Sequence, residues 1–390
     1  MRLLLVAPSG SYRVGAFLDA AQAVGCDVTV AIDAVSAIPD SFVSVSFDDP
    51  VAAAARLAAL VGGVDGVVGT DGAAVAVAAE AARLLGISAN PADAMGAAGN
   101  KYLQRQAGEA AGVPQPAFAL IEGTHLPTWS TFPAVVKPLD RSASQGVVRV
   151  DSPVQMTQAV GAVGAIVGPG LPLLVEAFVP GVEVAVEGLV RGGRLEVLAV
   201  FDKPDTPQGP TFPETLLVSP ARLGSDALDR VVEVAQRAVA ATGLVEGPVH
   251  VECKVDGDEV WFLEIAARTI GGLCGRAVEH GGVSLEEVVI RHALGQAVPT
   301  PTSGATARGV LMLPVHRSGR VAAVGGVEAA RARKGVTDVV MTVGAGEDVV
   351  ALPAGDRYLG FVFAQAATAD EVEAALRAAW ASVEIDITAL

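Results

Sequence analysis

Residues 247–268, GPVHVECKVDGDEVWFLEIAAR, decide how this chain is read. They predict two strands, 248–255 and 259–266, turning around Asp256-Gly257-Asp258. Each strand carries one carboxylate, Glu252 or Glu264, inside an otherwise apolar run. An unpaired charge there is costly, so two such carboxylates invite a cation. Side chains alternate along a strand, so the two glutamates share a face only if paired residue numbers sum to an even value. A loop of odd length gives that register, with Glu252 opposite Phe262 and diagonal to Glu264. A two-residue loop sends the carboxylates to opposite faces. A shared cation therefore requires an odd loop or a bulge, and oxygen ligands of this kind suit Mg²⁺ held together with nucleotide phosphates. His250 shares the face of Glu252 and is expected to be a satisfied strand residue.

Working outward, Arg268 is followed by Gly271-Gly272, where bare backbone can approach a ligand. An arginine there can steady an acyl phosphate or the oxyanion formed when an amine attacks it. The alternative is a structural salt bridge to one of the glutamates. Upstream, Lys137 ends an apolar run and is followed by a small-residue loop containing Ser142, Ser144 and Gly146. A lysine and flexible backbone can hold a polyphosphate, although the loop also reads as an exposed hairpin turn. Residues 173–183 offer an apolar wall, with Glu176, Ala177, Phe178 and Val179 before a Pro-Gly turn and Glu183 after it. An adenine ring needs such a wall and a carboxylate can accept from ribose hydroxyls, whereas the plainer reading is a buried strand with solvated glutamates at its ends. Residues 201–215, with Lys203 and Glu214, interrupt an aliphatic region and read either as a substrate-side loop or as surface.

The N-terminal ~90 residues alternate short β-rich runs (2–7, 27–32, 66–69) with alanine-rich helical runs (14–24, 49–60, 72–85), the pattern of a parallel sheet flanked by helices. Ser9 falls in the loop after the first strand, where open α/β sheets place ligands, although a plain strand-to-helix turn reads equally well. A helix bearing Lys101 follows Asn90-Pro91 and closes at Gly112-Val113-Pro114. From 116 to 183 the texture is one of short β runs between Pro/Gly/Ser loops, a small α+β module. A helix is expected over 226–241, a linker over 300–304, and further β runs with a closing helix, 369–383, beyond it. At 390 residues the chain is too long for one ordinary core. The expected division is 1–90, 91–300 with a lid over about 116–183, and 301–390, an α/β and α+β multidomain protein.

A net charge of −16 and an aromatic content of 4% argue against nucleic acid or an anionic membrane surface as partner. The longest uncharged stretch, 152–175, is broken by prolines and glycines and cannot span a membrane. The apolar run at the start is too short for a signal peptide. Three cysteines without metal or redox spacing complete the expectation of a soluble, cytoplasmic chain free of structural disulfides.

Together these segments resemble the ATP-grasp superfamily of carboxylate–amine ligases, and within it the branch of L-amino acid ligases and carnosine synthases. The resemblance covers residues 1 to about 295 and extends more loosely beyond. It implies an N-terminal pre-grasp parallel-sheet domain, a nucleotide clamp and a C-terminal α+β segment. It makes Lys101 and Lys137 the nucleotide lysines, Glu176, Ala177, Phe178 and Val179 the hinge, and Glu183 the ribose acid. Glu252 and Glu264 become metal ligands, and Arg268, with Gly271 and Gly272, stabilises the tetrahedral intermediate. Ser142, Ser144 and Gly146 fall to the nucleotide, and Lys203, Glu214 and Ser9 to the substrate. Many members carry Asn two residues after the second acidic ligand; Ala266 stands there in this chain, which is similar to the amino acid ligase branch and leaves a second ion less well held.

The implied activity is formation of an amide from a small acid or amino acid and an amine, through an acyl phosphate, with ATP and Mg²⁺, or Mn²⁺ in its place. The alternatives are a purine-pathway or biotin-carboxylase-like enzyme acting on formate or bicarbonate, and a nucleotide-binding regulator without turnover. The partners implied are small-molecule acids and amines, with no nucleic acid and no membrane, and a homodimer is compatible with the sequence.

Overall fold

A computed structural model describes residues 1–33, 42–123, 125–300 and 306–389. The first strand, β1 (Arg2–Ala7), has Leu3, Leu4, Leu5, Val6 and Ala7 all fully buried, as expected where helices cover both faces of a parallel sheet. It pairs in parallel with β2 (Asp27–Ile32) and β4 (Gly66–Gly69), and β3 (Phe42–Ser44) extends the sheet beyond β2. Helices α1 (Val14–Val24), α2 (Pro50–Val61) and α3 (Gly72–Leu84) connect the strands. Asp49 caps α2 by accepting from Val51 and Ala52 N–H at 3.0 Å, with Pro50 in the first turn. α3 approaches β4 so closely that only glycine fits at 69: a Cβ there would lie 2.7 Å from the Val75 Cα. β3 is the one element of this unit that the alternation of sequence does not announce.

Helix α4 (Ala92–Ala98) leads into α5 (Lys101–Ala110), whose N-cap Asn100 accepts from Tyr102 and Leu103 N–H. The cap fixes Lys101 as the first helical residue. A four-stranded antiparallel sheet follows, β5 (Phe118–Ile121), β6 (Ala134–Pro138), β7 (Val148–Val150) and β8 (Leu173–Ala177), in the order β5-β8-β6-β7. Between β7 and β8 the expectation of short β runs fails: residues Pro153–Val167 form helix α6. Ser152 caps it at Gln155 N–H, Pro153 occupies its first turn, and Met156, Ala159, Val160 and Val163 bury one helical stripe. That spacing of three, four and seven was available in the sequence, but the interspersed glycines masked it. No helix of the described residues is long and apolar enough to cross a membrane.

The centre is an eight-stranded antiparallel sheet. It takes β9 (Val182–Arg191), β10 (Arg194–Lys203), β11 (Leu216–Ser219), β12 (Glu246–Asp256) and β13 (Glu259–Ala266), with α7 (Ser225–Thr242) packed against it. After a two-strand hairpin, β14 (Glu279–His280) and β15 (Val283–Ser284), and helix α8 (Leu285–Ala293), the chain returns to the same sheet as β16 (Ala307–Pro314). Strands β17 (Gly319–Gly325), β18 (Val336–Met341), β19 (Asp348–Val349) and β20 (Tyr358–Ala366) follow, with helices α9 (Val327–Arg331) and α10 (Ala369–Trp380) and a last strand β21 (Glu384–Thr388). The sheet runs β13-β12-β9-β10-β11-β16-β20-β18, so the C-terminal segment continues it through the β11–β16 ladder. Strands β19, β17 and β21 form a smaller sheet. The linker expected at 300–304 lies outside the described residues apart from Thr300.

Candidate active site

A cavity of about 340 Å³ opens where the four-stranded sheet β5-β8-β6-β7 faces the central sheet, and residues of the N-terminal unit and the C-terminal segment also line it. Lys101 and Lys137 enter from α5 and β6 and are both buried. The Lys101 ammonium lies 2.8 Å from Glu264 and 2.6 Å from the Arg141 carbonyl. Lys137 pairs with Glu176 at 2.7 Å, and the other Glu176 oxygen accepts from Arg105 at 2.7 Å. Burial alone would raise the Glu176 carboxyl, but the two cations outweigh it and hold it below the usual range. Burial is the dominant effect on Lys137 and lowers its pKa. Arg105 was missed in the sequence, although it lies one helical turn beyond Lys101 and therefore on the same face.

The hinge segment lines the cavity with Glu176, Ala177, Phe178 and Val179. Two of its donors are already engaged within the protein, Ala177 N–H with the Ala117 carbonyl and Phe178 N–H with the Pro133 carbonyl, each at 2.9 Å. Phe178 stacks on Phe212 with ring centroids 6.4 Å apart, and Lys254 and Arg149 flank the same ring. Ser142 and Ser144 line the cavity from the loop between β6 and β7, where Ala143 and Ser144 adopt positive φ. Gly146 does not face it. Its φ of +72° and the clash an added Cβ would make, 2.9 Å from the Pro138 ring, explain the glycine, and its N–H donates to the Pro353 carbonyl.

The hairpin resolves the parity question in an unexpected way. Asp256 pairs with Glu259, so the loop is the two-residue Gly257-Asp258, and of the two arrangements that a shared face allows, an odd loop or a bulge, the odd loop is not formed. The register then shifts between Cys253, opposite Phe262, and Glu252, opposite Glu264. Leu263 is the extra residue of a bulge, which restores even parity and puts both glutamates on one face. The Leu263 carbonyl accepts from Arg105, and Phe262 N–H donates outward to the Pro114 carbonyl at 2.8 Å.

Although face to face, the two glutamates serve different cations. Lys203, at the end of β10 and buried, lies 2.5 Å from Glu183, 2.6 Å from Glu214 and 2.9 Å from Glu252. One oxygen from each of these three acids lies within 4.8 Å of the others, a hard-donor set that fits Mg²⁺. Glu183, expected at a ribose, thus belongs to this cluster, and Lys203 and Glu214 stand at its heart rather than in a peripheral loop. Burial opposes the Lys203 ammonium, but the three carboxylates outweigh it and hold its pKa well above the ordinary lysine value. Burial likewise opposes charge on Glu252, and Lys203 and His250 overcome it, holding Glu252 well below the usual range. Burial together with the Glu252 charge raises Glu183. His250 contacts Glu187 through Nδ1 and Glu252 through Nε2 at 3.2 Å. Burial works against its imidazolium, yet these acids lift its pKa to about 9. The expectation of a satisfied strand residue holds for His250, and its ring is part of the acidic cluster's charge balance.

Arg268, also lining the cavity, donates to the Thr269 carbonyl at 2.8 Å and forms no ion pair among the described residues, so the salt-bridge alternative is not realised. Gly271 and Gly272 both line the cavity. Gly272 also answers a packing need: its φ is +64° and a Cβ would lie 2.9 Å from Phe361. Ser9 is not brought here; its N–H donates to Asp33 at 2.6 Å on the surface. The N-terminal unit instead contributes Tyr12, Asp71 and Gly72, and the C-terminal segment Met312, Asp356 and Tyr358. Buried Arg13 ties Asp71 (3.0 Å) and the Thr70 carbonyl (2.8 Å) to the Thr269 hydroxyl, next to Arg268. None of these residues sits in a motif, which is why sequence reasoning passed over them.

Lysines over a hinge, a hairpin carrying opposed glutamates and an arginine without an ion pair among the described residues, on one clamp of two sheets, are the arrangement of the ATP-grasp fold. Residues 130–277 match the ATP-grasp domain family, and residues 311–388 match the L-amino acid ligase C-terminal domain 2. The chain thus carries an ATP-grasp domain followed by an L-amino acid ligase C-terminal domain, and part of it is similar to carnosine synthases. The solved structure of an L-amino acid ligase from Bacillus licheniformis is 25% identical and superposes over 100% of this chain and 99% of that one with a TM-score of 0.84. The N5-carboxyaminoimidazole ribonucleotide synthetase of Thermotoga maritima, 18% identical, shares the fold with a TM-score of 0.73 over the whole of both chains. Carnosine synthase 1 of Homo sapiens is 33% identical over 137 residues, 35% of this chain and 16% of that protein. An uncharacterised protein of Sinorhizobium fredii is 27% identical over 74% of this chain, which spans 61% of its length.

Proposed function

We propose that this protein joins a small carboxylic acid or amino acid to an amine at the expense of ATP, through an acyl phosphate, releasing ADP and phosphate. The observation that carries the reading is that one cavity gathers Lys101, Lys137, the Glu183–Glu214–Glu252 group with Lys203, and Arg268, which has no carboxylate partner among the described residues.

In this reading Phe178 and Val179 bound the adenine, while Ser142 and Ser144 close over the phosphates with the lid. Glu183, Glu214 and Glu252 would hold Mg²⁺, with Glu264 facing them across the hairpin; Mg²⁺ bound there neutralises charge that moves during phosphoryl transfer. The lysines add fixed positive charge beside the phosphates, and lid closure keeps water from the acyl phosphate. The substrate carboxylate attacks the γ-phosphorus, whose bond to the ADP oxygen breaks. The amine then attacks the acyl carbon. A carbon–nitrogen bond forms, the bond to the phosphate oxygen breaks, one ammonium proton leaves with phosphate as HPO₄²⁻ and the second passes to solvent. Arg268 faces the oxyanion of that step.

A phosphate-release screen with amino acid pairs, bicarbonate and formate tests the proposal. Release that requires both an acid and an amine supports it. Release with bicarbonate or formate alone, or ATP binding without release, contradicts it.

A further inference from the structure

Arg268 rests on a peptide group that is itself anchored. Its guanidinium donates to the Thr269 carbonyl at 2.8 Å. That carbonyl shares a planar peptide unit with the Ile270 N–H, which donates to the Glu187 carboxylate at 3.0 Å. Glu187 belongs to β9 and is fully buried. Because the unit is planar, holding its N–H from the central sheet also sets the direction of the carbonyl under Arg268.

The side chain of Thr269, buried as well, is anchored from the N-terminal unit. Its hydroxyl accepts from Nη2 of Arg13, the residue that directly precedes α1. Through Nη1 the same guanidinium donates to the Thr70 carbonyl at 2.8 Å and to Asp71 at 3.0 Å, and it lies 5.6 Å from the centre of the Phe17 ring. The Ser11 hydroxyl donates to the other Asp71 oxygen at 2.7 Å, so that this carboxylate is held at both ends. A buried ion pair is costly to desolvate, and well-packed apolar side chains hold two units together at least as firmly. What a planar fork adds is direction, since its donors point along fixed lines.

We propose that Arg13 is a positioning residue for Arg268: acting through Thr269, it makes the N-terminal unit part of the machinery that forms the amide. The inference rests on the ligase reading above and deepens it. Arg13 also holds Asp71, which lines the cavity, whereas Thr269 reaches the reaction only through its neighbour. The test is therefore centred on Thr269.

Thr269→Val deletes the hydroxyl at nearly constant volume and leaves the Arg13–Asp71 pair in place. The full chain is assayed with ATP, Mg²⁺ and an acid–amine pair found by the phosphate-release screen. A small misplacement of a catalytic group is costly, so this variant should show kcat for amide formation lowered about tenfold, with ADP affinity by calorimetry kept within about twofold. Thr269→Ser, which keeps the hydroxyl, should retain the wild-type rate. Arg13→Lys keeps a cation beside Asp71 but lacks the second limb of the fork; it should match Thr269→Val, and the two combined should lose no more than either alone. In an Arg268→Ala background Thr269→Val should cost nothing further, because the side chain it acts through is already gone. A loss that multiplies with that of Arg268→Ala, an undiminished kcat in Thr269→Val, or a parallel loss of ADP affinity overturns the proposal. A wild type that turns over with no acid–amine pair overturns the ligase reading itself, a distinct result.

Discussion

Glu252 and Glu264 stand directly opposite one another on β12 and β13 because Leu263 is squeezed out of register between them and the turn. Without that bulge the two-residue loop would carry Glu264 to the opposite face, among apolar side chains. Arg105 caps the bulge at the Leu263 carbonyl and with its other nitrogen holds Glu176, the partner of Lys137. One buried arginine thereby sets both the hairpin register and the pairing of a nucleotide lysine.

The cluster around Lys203 makes a prediction about metal and stability. Lys203→Met leaves Glu183, Glu214 and Glu252 facing one another with no cation. Removal of one partner from a buried ionic group costs about 3–5 kcal/mol, so the variant should melt at clearly lower temperature. Millimolar Mg²⁺ should restore more of the lost Tm than it adds to wild type. Equal Mg²⁺ responses in thermal melts would remove these carboxylates from the metal site.

His250 predicts a pH dependence. Its folded-state pKa, about 9, lies above the 6.5 of a free histidine, because Glu187 and Glu252 favour the imidazolium. A raised pKa contributes stability that is fully present below pH 6.5 and is lost as pH climbs to about 9. The loss is roughly 3 kcal/mol at about 1.4 kcal/mol per unit. Urea unfolding of wild type across this range should show the decline, and His250→Gln should flatten it. An unchanged slope in the variant would assign the titration elsewhere.

Arg268→Ala should leave ADP affinity within about twofold while lowering amide formation by 10²–10³, roughly the cost of losing one oxyanion donor. Calorimetric titration with ADP and a phosphate-release assay measure the two separately. A matching loss of ADP affinity would place Arg268 on the nucleotide instead.

The sequence made legible those parts of the site that local chemistry dictates. Strands β1, β2 and β4 and helix α1 follow directly from buried apolar runs and 3.6-residue spacing. Lys137, Glu252, Glu264 and Arg268 stand out because each charge interrupts or ends an apolar element, Lys101 was named through the resemblance alone, and all five line one cavity. What was not legible depends on pairing at long range. The Leu263 bulge follows from Arg105 and Pro114, both far from β13 in sequence. The union of Glu183, Glu214 and Glu252 on Lys203 requires three strands and a loop to converge. Tyr358 and Asp356 reach the site only because β16 continues the central sheet from β11 and brings β20 with it. Ser9 failed for a related reason: Asp33 holds its loop on the surface, while Tyr12 and Asp71 from neighbouring turns face the cavity.

The most direct test of the ligase reading follows an oxygen atom. Amino acids labelled with ¹⁸O in both carboxylate oxygens are incubated with the protein, ATP, Mg²⁺ and an amine, and the released phosphate is analysed by mass spectrometry. One ¹⁸O per phosphate, in step with ADP and amide, is the predicted result, since the carboxylate oxygen that attacks the γ-phosphorus departs with it. Phosphate released without label, with its oxygen drawn from water, would contradict an acyl phosphate and with it the central claim.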